Sequence, residues 1–593
     1  MNQKTLRETS RMGLIAGAVI LSVCMINIVE SFNQRDIISE RFTLGQLLLF
    51  AGAVIVGYLA VKSLENERLP AKLIHGALAG ALAGVPLLLL TLLTLVWVNI
   101  REAFINVSPD LISIITLGQE NIVIGSLELI GIYGLLGIVG ALATIIPDAI
   151  RRALLLGLGW AFGLGTMSEI LVNILRPRLS SDMMDRIFGR DGIQQNAFIA
   201  IFLLIAIVSY WWNLDGRSRY QNIQANMTAQ QSRRTSWVSG ILLFLFLMIL
   251  PSLLGIYLSE IFNNVGLYIL MGLGLNIAVG MAGLLDLGYV TNFAVGAYIM
   301  ALLTTGSEYG AAEPFSFWIA LPICVAAAMF TGFFFALPVL KMRGDYLAIA
   351  TLGFGEIVRI LARSDALKET IGGAQGILQI QQAKIGGFVG AQLATILTPI
   401  NNFLARWDLS ILSGEEGEII FGNPPQLYYL VLVGCLIMLI ISRRLNNSRT
   451  GRRWMAIRED EDVAAAMGIN TTNAKVIAFT LSAASGGLAG AIFAAKLGSI
   501  FPHSFQLLIS VNVLSLIIVG GLGSIPGIFV GAFALIGVPE LLREFGEFRL
   551  LFYGIALIVM MLVRPEGLWP SEARKRELQS SDGPPTAVPQ GGD

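Results

Sequence analysis

The sequence predicts an all-α, polytopic transmembrane helical bundle, and three observations carry that prediction. Hydrophobic residues make up 55% of the 593-residue chain against 13% charged, with a mean hydropathy of +0.73. Many runs reach the roughly 20 apolar residues that cross about 30 Å of hydrocarbon as a helix. Strand-type alternation is absent, so the spanning element is the helix, which satisfies its own backbone hydrogen bonds in lipid. The 64 glycines suit close approach between such helices. Lys and Arg (40) balance Asp and Glu (40), and zero net charge argues against a nucleic-acid surface.

Six apolar runs open the chain, at about 12–29, 43–62, 74–98, 122–147, 153–174 and 196–213. The first follows a basic tail (Lys4, Arg7, Arg11), but no small-x-small cleavage pattern comes after it. It is therefore expected to be a retained helix rather than a signal peptide. The polar, basic stretch Arg217–Thr235 reads as a linker, dividing a membrane extension (1–235) from a second domain (236–570). There the runs fall near 237–257, 262–284, 287–304, 316–340, 346–363, 427–442, 473–497, a Gly-rich 507–540, and 549–563. The Pro- and Gly-rich tail 571–593 is expected to be disordered and cytoplasmic.

Lys and Arg in short loops set orientation. The N-terminal tail, Lys62–Lys72, Arg151-Arg152 and the linker fall on one side, placing the N-terminus in the cytoplasm. Arg443–Arg458 and Arg574–Arg576, hence the C-terminus, join them if 346–363 spans and 507–540 crosses an even number of times. The loop Leu175–Gln195 opposes the rule: it carries Arg176, Arg178, Arg186 and Arg190 yet falls outside. The polar interval Ser364–Gln426, with the acids Glu415–Glu418, also falls outside and is long enough to be a cap or a landing surface.

Four constellations stand out. Gly272–Gly280 and Gly283–Tyr289 are glycine clusters flanking Asn276 and Asp286. A helix broken here would point freed backbone groups into a cavity, with Asp286 as a functional group; alternatively Asp286 caps the next helix at the membrane edge. In Lys341–Arg359, Asp345 reads as the N-cap of a new helix, and Glu356 and Arg359 are spaced to pair on one face. That pair either lines a wet path or braces the bundle. In the charged segment Gly451–Asn470, Glu459 to Asp462 place four acids at the start of a short helix, and Gly468 stops it. Val463, Ala464, Ala465 and Met467 would then form an exposed knob, suited to a partner's groove or to the membrane surface. Val519–Gly527 lacks the Lys of a Walker A loop and reads as a turn or close helix contact. Cys24, Cys324 and Cys435 sit in apolar runs, and His75 and His503 are too scattered for a metal site.

From about residue 262 to Pro570, Gly272–Tyr289, Arg343–Arg359, Gly451–Asn470, Gly520–Gly527 and Arg564–Trp569 follow one another in a familiar order and spacing. In these segments the chain resembles the LivM-like permease subunits of branched-chain amino-acid ABC importers. The resemblance implies a bundle of the ABC importer permease type, with about six extra N-terminal helices and no enzymatic activity. It implies no cofactor in this chain, ATP being hydrolysed by two cytoplasmic ATPase subunits. The other implied partners are a second related permease, an extracytoplasmic substrate-binding protein and the lipid of a bacterial inner membrane. Arg452–Asn470 resembles the coupling helix, with Arg458, Asp462, Ala465 and Gly468 as its ATPase-coupling residues. Asn276, Asp286, Tyr289, Asp345, Thr351 and Glu356 are the candidates for the substrate path. An ion-coupled secondary transporter of small polar solutes is the alternative, and its uptake would survive ATP depletion. Residues 1–235 resemble no family.

Overall fold

The computed structural model describes residues 3–570 except 63, 65–67, 98–101, 103, 190, 217–228, 308, 311–312, 340–341, 343–344, 387–391, 393–394, 396, 400, 402–417, 544–545, 547 and 565. The tail expected to be disordered, and Glu415 and Glu416 of the acidic patch, thus lie outside the described residues. The chain forms two compact units, Met1–Ile241 and Leu242–Asp593. Among the described residues ten helices are long and apolar enough to cross a membrane, or eleven with one bent pair. Among the described residues sheet is confined to two short two-stranded ladders.

The first unit holds α1 (Gln3–Met25), α2 (Ile28–Asn33), α3 (Leu44–Lys62), α4 (Leu69–Val96), α5 (Pro109–Ile115), α6 (Ile122–Leu142), α7 (Asp148–Thr166), α8 (Ser168–Leu175), α9 (Ser181–Ile187) and α10 (Gln195–Trp211). Small residues set its closest crossings. A Cβ at Gly137 would collide with Gly76 O, and one at Gly80 with Tyr133 O, so α4 and α6 touch backbone to backbone. Tyr133 is buried beside that contact and donates to Leu49 O of α3 at 2.6 Å. The run expected over 153–174 is not one helix: α7 and α8 meet at a 72° bend at Met167. Gly165, two residues earlier, admits Ile37 where a Cβ would clash.

Ile37 belongs to a hairpin of β1 (Asp36–Ile38) and β2 (Phe42–Thr43). Ile193 N donates to Ile37 O at 3.1 Å, and Ser39 N to Ile193 O at 3.0 Å. The Arg-containing loop 176–194 and the loop after α1 therefore share one side of the bundle.

The second unit begins within α11 (Ala229–Asn276), whose start shows that residues 229–235, expected in the linker, are already helical. Gly255 leaves the helical region (φ 71, ψ −169), and Ser259 Oγ donates to Pro251 O at 3.5 Å. Eight residues along a straight helix would be about 12 Å apart. The chain thus folds back at Gly255, giving two limbs where the sequence shows two apolar runs.

The rest comprises α12 (Tyr289–Thr304), α13 (Phe317–Val339), α14 (Asp345–Arg363), α15 (Lys368–Ile371), α16 (Pro424–Asn446), α17 (Arg449–Glu459), α18 (Glu461–Ala466), α19 (Thr471–Leu497), α20 (Leu507–Gly520), α21 (Ile525–Ala532), α22 (Val538–Leu541) and α23 (Phe548–Val563). With its charges Glu356, Arg359 and Arg363, α14 is not among the ten candidate spans. The central helix is α19, whose glycines let its neighbours in: a Cβ at Gly490 would strike Phe293 O of α12. The Gly-rich stretch forms a hairpin, in which α20 and α21 cross at Gly520 and Gly527 and Ser524 Oγ caps α21 by accepting from Gly527 N at 3.1 Å. On the other face of the unit, β3 (Lys384–Ile385) pairs with β4 (Ile419–Ile420), and Ile377 N donates to Ile500 O at 3.0 Å.

Because the atoms facing Gly490 are backbone, Gly490→Ala must shift α12, at a cost of about 1–3 kcal/mol. Gly240, which faces open space, is the control. Gly490→Ala is expected to lower the melting temperature in detergent, while Gly240→Ala leaves it unchanged or slightly raised.

Candidate functional site

The glycine clusters around Asn276 break the helix. At Asn276, α11 passes into one π turn (Ile277–Met281), and 282–288 is non-helical with Gly283 at φ 71. A π turn leaves carbonyls that its own helix does not fully satisfy. The Gly280 carbonyl is met from far along the chain: Arg458 Nη1 donates to it at 2.6 Å. Asn276 Oδ1 accepts from Gly523 N at 3.2 Å. A Cβ at Gly280 would collide with Asn276 Oδ1 and come within 2.9 Å of Gly523 N, so only glycine fits between them. Asn276 and Arg458, assigned to separate tasks from the sequence, meet at this one residue.

Asp286, Tyr289 and Thr351 form a second node. Gly288 N donates to Asp286 Oδ1 at 3.0 Å, and Leu287 N to Thr351 Oγ1 at 3.1 Å. Asp286 is 2% exposed and its Oδ2 has no partner among the described residues. It does not cap α12, whose N-cap is Gly288. Lying in the loop outside the spanning segments, its carboxyl is pushed up to about 7 by burial, against the smaller opposing effect of the Gly288 N–H. Tyr289 is buried and its hydroxyl lies 2.7 Å from Ser485 Oγ, a bond between α12 and α19. Asn276 Oδ1 and the Tyr289 hydroxyl thus serve contacts between chain segments, while Asn276 Nδ2 is buried with no partner among the described residues.

Glu356 and Arg359 do pair: Arg359 Nε donates to both Glu356 carboxylate oxygens at 3.0 Å, and Arg359 Nη2 also donates to Oε1. Asp345 is the first residue of α14 rather than a residue before it. Its side chain lies outside the described residues, as do residues 343 and 344.

The charged segment is a helix–turn–helix rather than a single short helix. Glu459 closes α17, and Asp460 caps α18, its Oδ1 accepting from Asp462 N at 2.9 Å and Val463 N at 3.0 Å. Four acids at one helix start were expected; the cap falls between them, leaving Glu461 and Asp462 in the first turn of α18. Gly468 ends the segment at φ 84, with Ile469 N donating to Ala464 O at 3.1 Å. Its own Cβ position faces open space, so the glycine is required by conformation and not by crowding. Ala464, expected on the exposed knob, is buried at 3% exposure. Val463, Ala465 and Met467 are exposed, Met467 most of all at 79%.

Two further residues hold this segment in place. Trp454 is fully buried and its Nε1 donates to Ala474 O of α19 at 2.7 Å. Lys475, also buried, donates to Glu461 Oε1 at 2.5 Å. The sequence did hold a signal for the last: a lysine within an apolar run needs a partner. Among the described residues no group of three or more His, Cys, Asp and Glu could hold a metal ion.

Residues 257–564 match the family model described as branched-chain amino acid transport system / permease component. The chain is 39% identical over 317 residues to the Escherichia coli K12 high-affinity branched-chain amino acid transport system permease protein LivM, covering 53% of this chain and 70% of that one. It is 24% identical over 331 residues to LivH of the same strain, covering 53% and 95%. The probable branched-chain amino acid transport permease protein LivM of Methanocaldococcus jannaschii is 23% identical over 349 residues, covering 52% and 91%. No solved structure matches. Residues 1–256 lie outside the family match.

The Asp286 carboxyl generates a pH prediction. Its folded value, about 7, lies above the ordinary 3.8, so its contribution to stability is complete below about 4 and is lost as pH rises through 7. Asp286→Asn keeps the Oδ1 acceptor and removes the titration. The melting temperature of the native protein relative to the variant should fall between pH 4 and 7, then level off; a constant difference contradicts the assignment.

Proposed function

The chain belongs to the branched-chain amino acid transport permease family, and on that premise we propose that it is the non-enzymatic transmembrane subunit of an ATP-driven importer for branched-chain or related amino acids. It sits as a multi-pass protein in a bacterial inner membrane, with both termini and Arg449–Asn470 on the cytoplasmic side. Two separate ATPase subunits hydrolyse ATP, a second related permease completes the pore, and an extracytoplasmic binding protein delivers the amino acid. The names of the relatives support the solute class. The path runs past the nodes at Asn276, at Asp286, Tyr289 and Thr351, and along α14, which carries Asp345 and Glu356.

The observation that carries the coupling half of this reading is α18. A six-residue helix exposes Val463 and Met467 while Glu461, on the same helix, is ion-paired to buried Lys475. An apolar tip held on a firm base can receive a push and pass it on. Arg458 lies behind that tip and carries the displacement to Gly280. Asp462, Ala465 and Gly468 shape the docking surface.

Met467→Glu places a charge where an apolar groove would sit and touches nothing the fold needs. It is expected to retain the melting temperature of the native protein, lose co-purification with the ATPase subunits, and lose at least tenfold in ATP-dependent leucine uptake into vesicles. Undiminished uptake would overturn the docking assignment. Gradient-driven uptake that persists without ATP would point instead to an ion-coupled secondary transporter.

A further inference from the structure

Buried hydroxyls without partners are uncommon, because each forfeits about 1–3 kcal/mol of hydrogen bonding. Two occur on one face of α12. Thr291 and Tyr298 are 3% and 8% exposed, and neither Thr291 Oγ1 nor Tyr298 Oη has a partner among the described residues. They stand seven residues apart, two helical turns, and so share a face. That face looks onto α14 across a cleft of about 10 Å³ whose walls include Val290, Ala294, Val358 and Phe505. Arg359 also lines it.

The two helices run side by side: they meet backbone to backbone at the Tyr289 end, where a Cβ at Gly288 would strike Thr351 O, and more loosely beyond it. A Cβ at Gly355 would lie 3.6 Å from Thr291 Oγ1, an ordinary contact distance. Among the described residues one hydrogen bond joins α14 to the α12 strand of chain, Leu287 N to Thr351 Oγ1, at the Tyr289 end. Beyond that end no hydrogen bond among the described residues joins the two helices. Arg359 is turned to Glu356 through Nε and Nη2, which leaves Nη1 as a further donor. Both side chains are partly exposed, at 28% and 40%.

This arrangement matches one chemical class. An aliphatic α-amino acid has a carboxylate, an ammonium and a branched apolar side chain. The guanidinium and two hydroxyls can donate to the carboxylate, Glu356 can accept from the ammonium, and the walls are aliphatic and aromatic. We propose that the seam between α12 and α14 is the passage for an aliphatic amino-acid zwitterion, with Thr291, Tyr298 and Arg359 receiving its charged end. The proposal rests on the importer reading above and names the substrate-contacting residues within it. The cleft here is its closed form, far too small for such a side chain, and α14 must move away from α12 to admit one.

The test uses the complete importer in proteoliposomes, with ATP inside and leucine supplied by the binding protein. The combined variant Thr291→Val, Tyr298→Phe removes both hydroxyls with little change of shape. Its leucine uptake is expected to fall at least tenfold while its melting temperature holds or rises, since two unpaired buried groups are gone. A structural role would give the reverse, a lower melting temperature with uptake falling only in proportion to folded protein. Arg359→Gln should also fall at least tenfold, and Gly353→Ala, which faces open space on the same helix, should transport normally. Native uptake rates in both the double variant and Arg359→Gln overturn the passage alone. Absence of ATP-driven uptake by the unaltered protein overturns the importer reading and the passage with it.

Discussion

Arg458 donating to the Gly280 carbonyl is the contact on which the organisation of the second unit turns. A helix that stops inside an apolar bundle leaves backbone groups that lipid cannot satisfy. Here the carbonyl of the π turn is satisfied by a cation from the charged segment, and the freed end of α11 is held by Asn276 against Gly523. Charge-assisted hydrogen bonds of this kind are roughly twice as strong as neutral ones. One consequence is mechanical. The segment suited to docking and the break suited to the permeation path are joined by a single side chain, with Trp454 and Lys475 fixing the same segment to α19.

Much of the helical plan was legible because long apolar runs bounded by charge permit little else in a membrane. The break after Asn276 was legible too, since glycine clusters in apolar sequence have few other uses; the fold at Gly255 was not, that lone glycine lying within the expected run 237–257. Gly468 could be read as a stop because a positive φ after a short helix demands such a residue. What could not be read was direction. Arg458 sits in a segment too short for periodicity to assign a face, and its acceptor is 178 positions earlier. Ala464 looked exposed for the same reason: the phase of a six-residue helix is set by Lys475 and α19, not by its own letters. The bend between α7 and α8 was missed because it depends on Ile37 reaching Gly165 from a distant hairpin. Thr291 and Tyr298 were missed because a hydroxyl in an apolar run is indistinguishable, as sequence, from one bonded to its own helix.

The first unit follows the same packing physics with no comparable break. Its small residues bring α4 and α6 into backbone contact, and several of its buried polar atoms join helices: Thr9 with His75 at 3.0 Å, Thr91 with Ser126 at 2.7 Å, Tyr133 with Leu49 O at 2.6 Å, while Asn27 Oδ1 has no partner among the described residues. Each of these bonds ties one helix to another. In the second unit Asp286 Oδ2, Thr291 Oγ1 and Tyr298 Oη are buried with no partner among the described residues.

The central claim is that Arg458 transmits motion from the docked segment to the broken helix. The most direct measurement is the number of ATP molecules hydrolysed per amino acid moved, in proteoliposomes holding the complete importer with Arg458→Gln. If Arg458 is the link, ATPase subunits still bind and still hydrolyse ATP, and that number rises at least tenfold. An unchanged ratio, with the complex intact, would mean that the force reaches the path by another route.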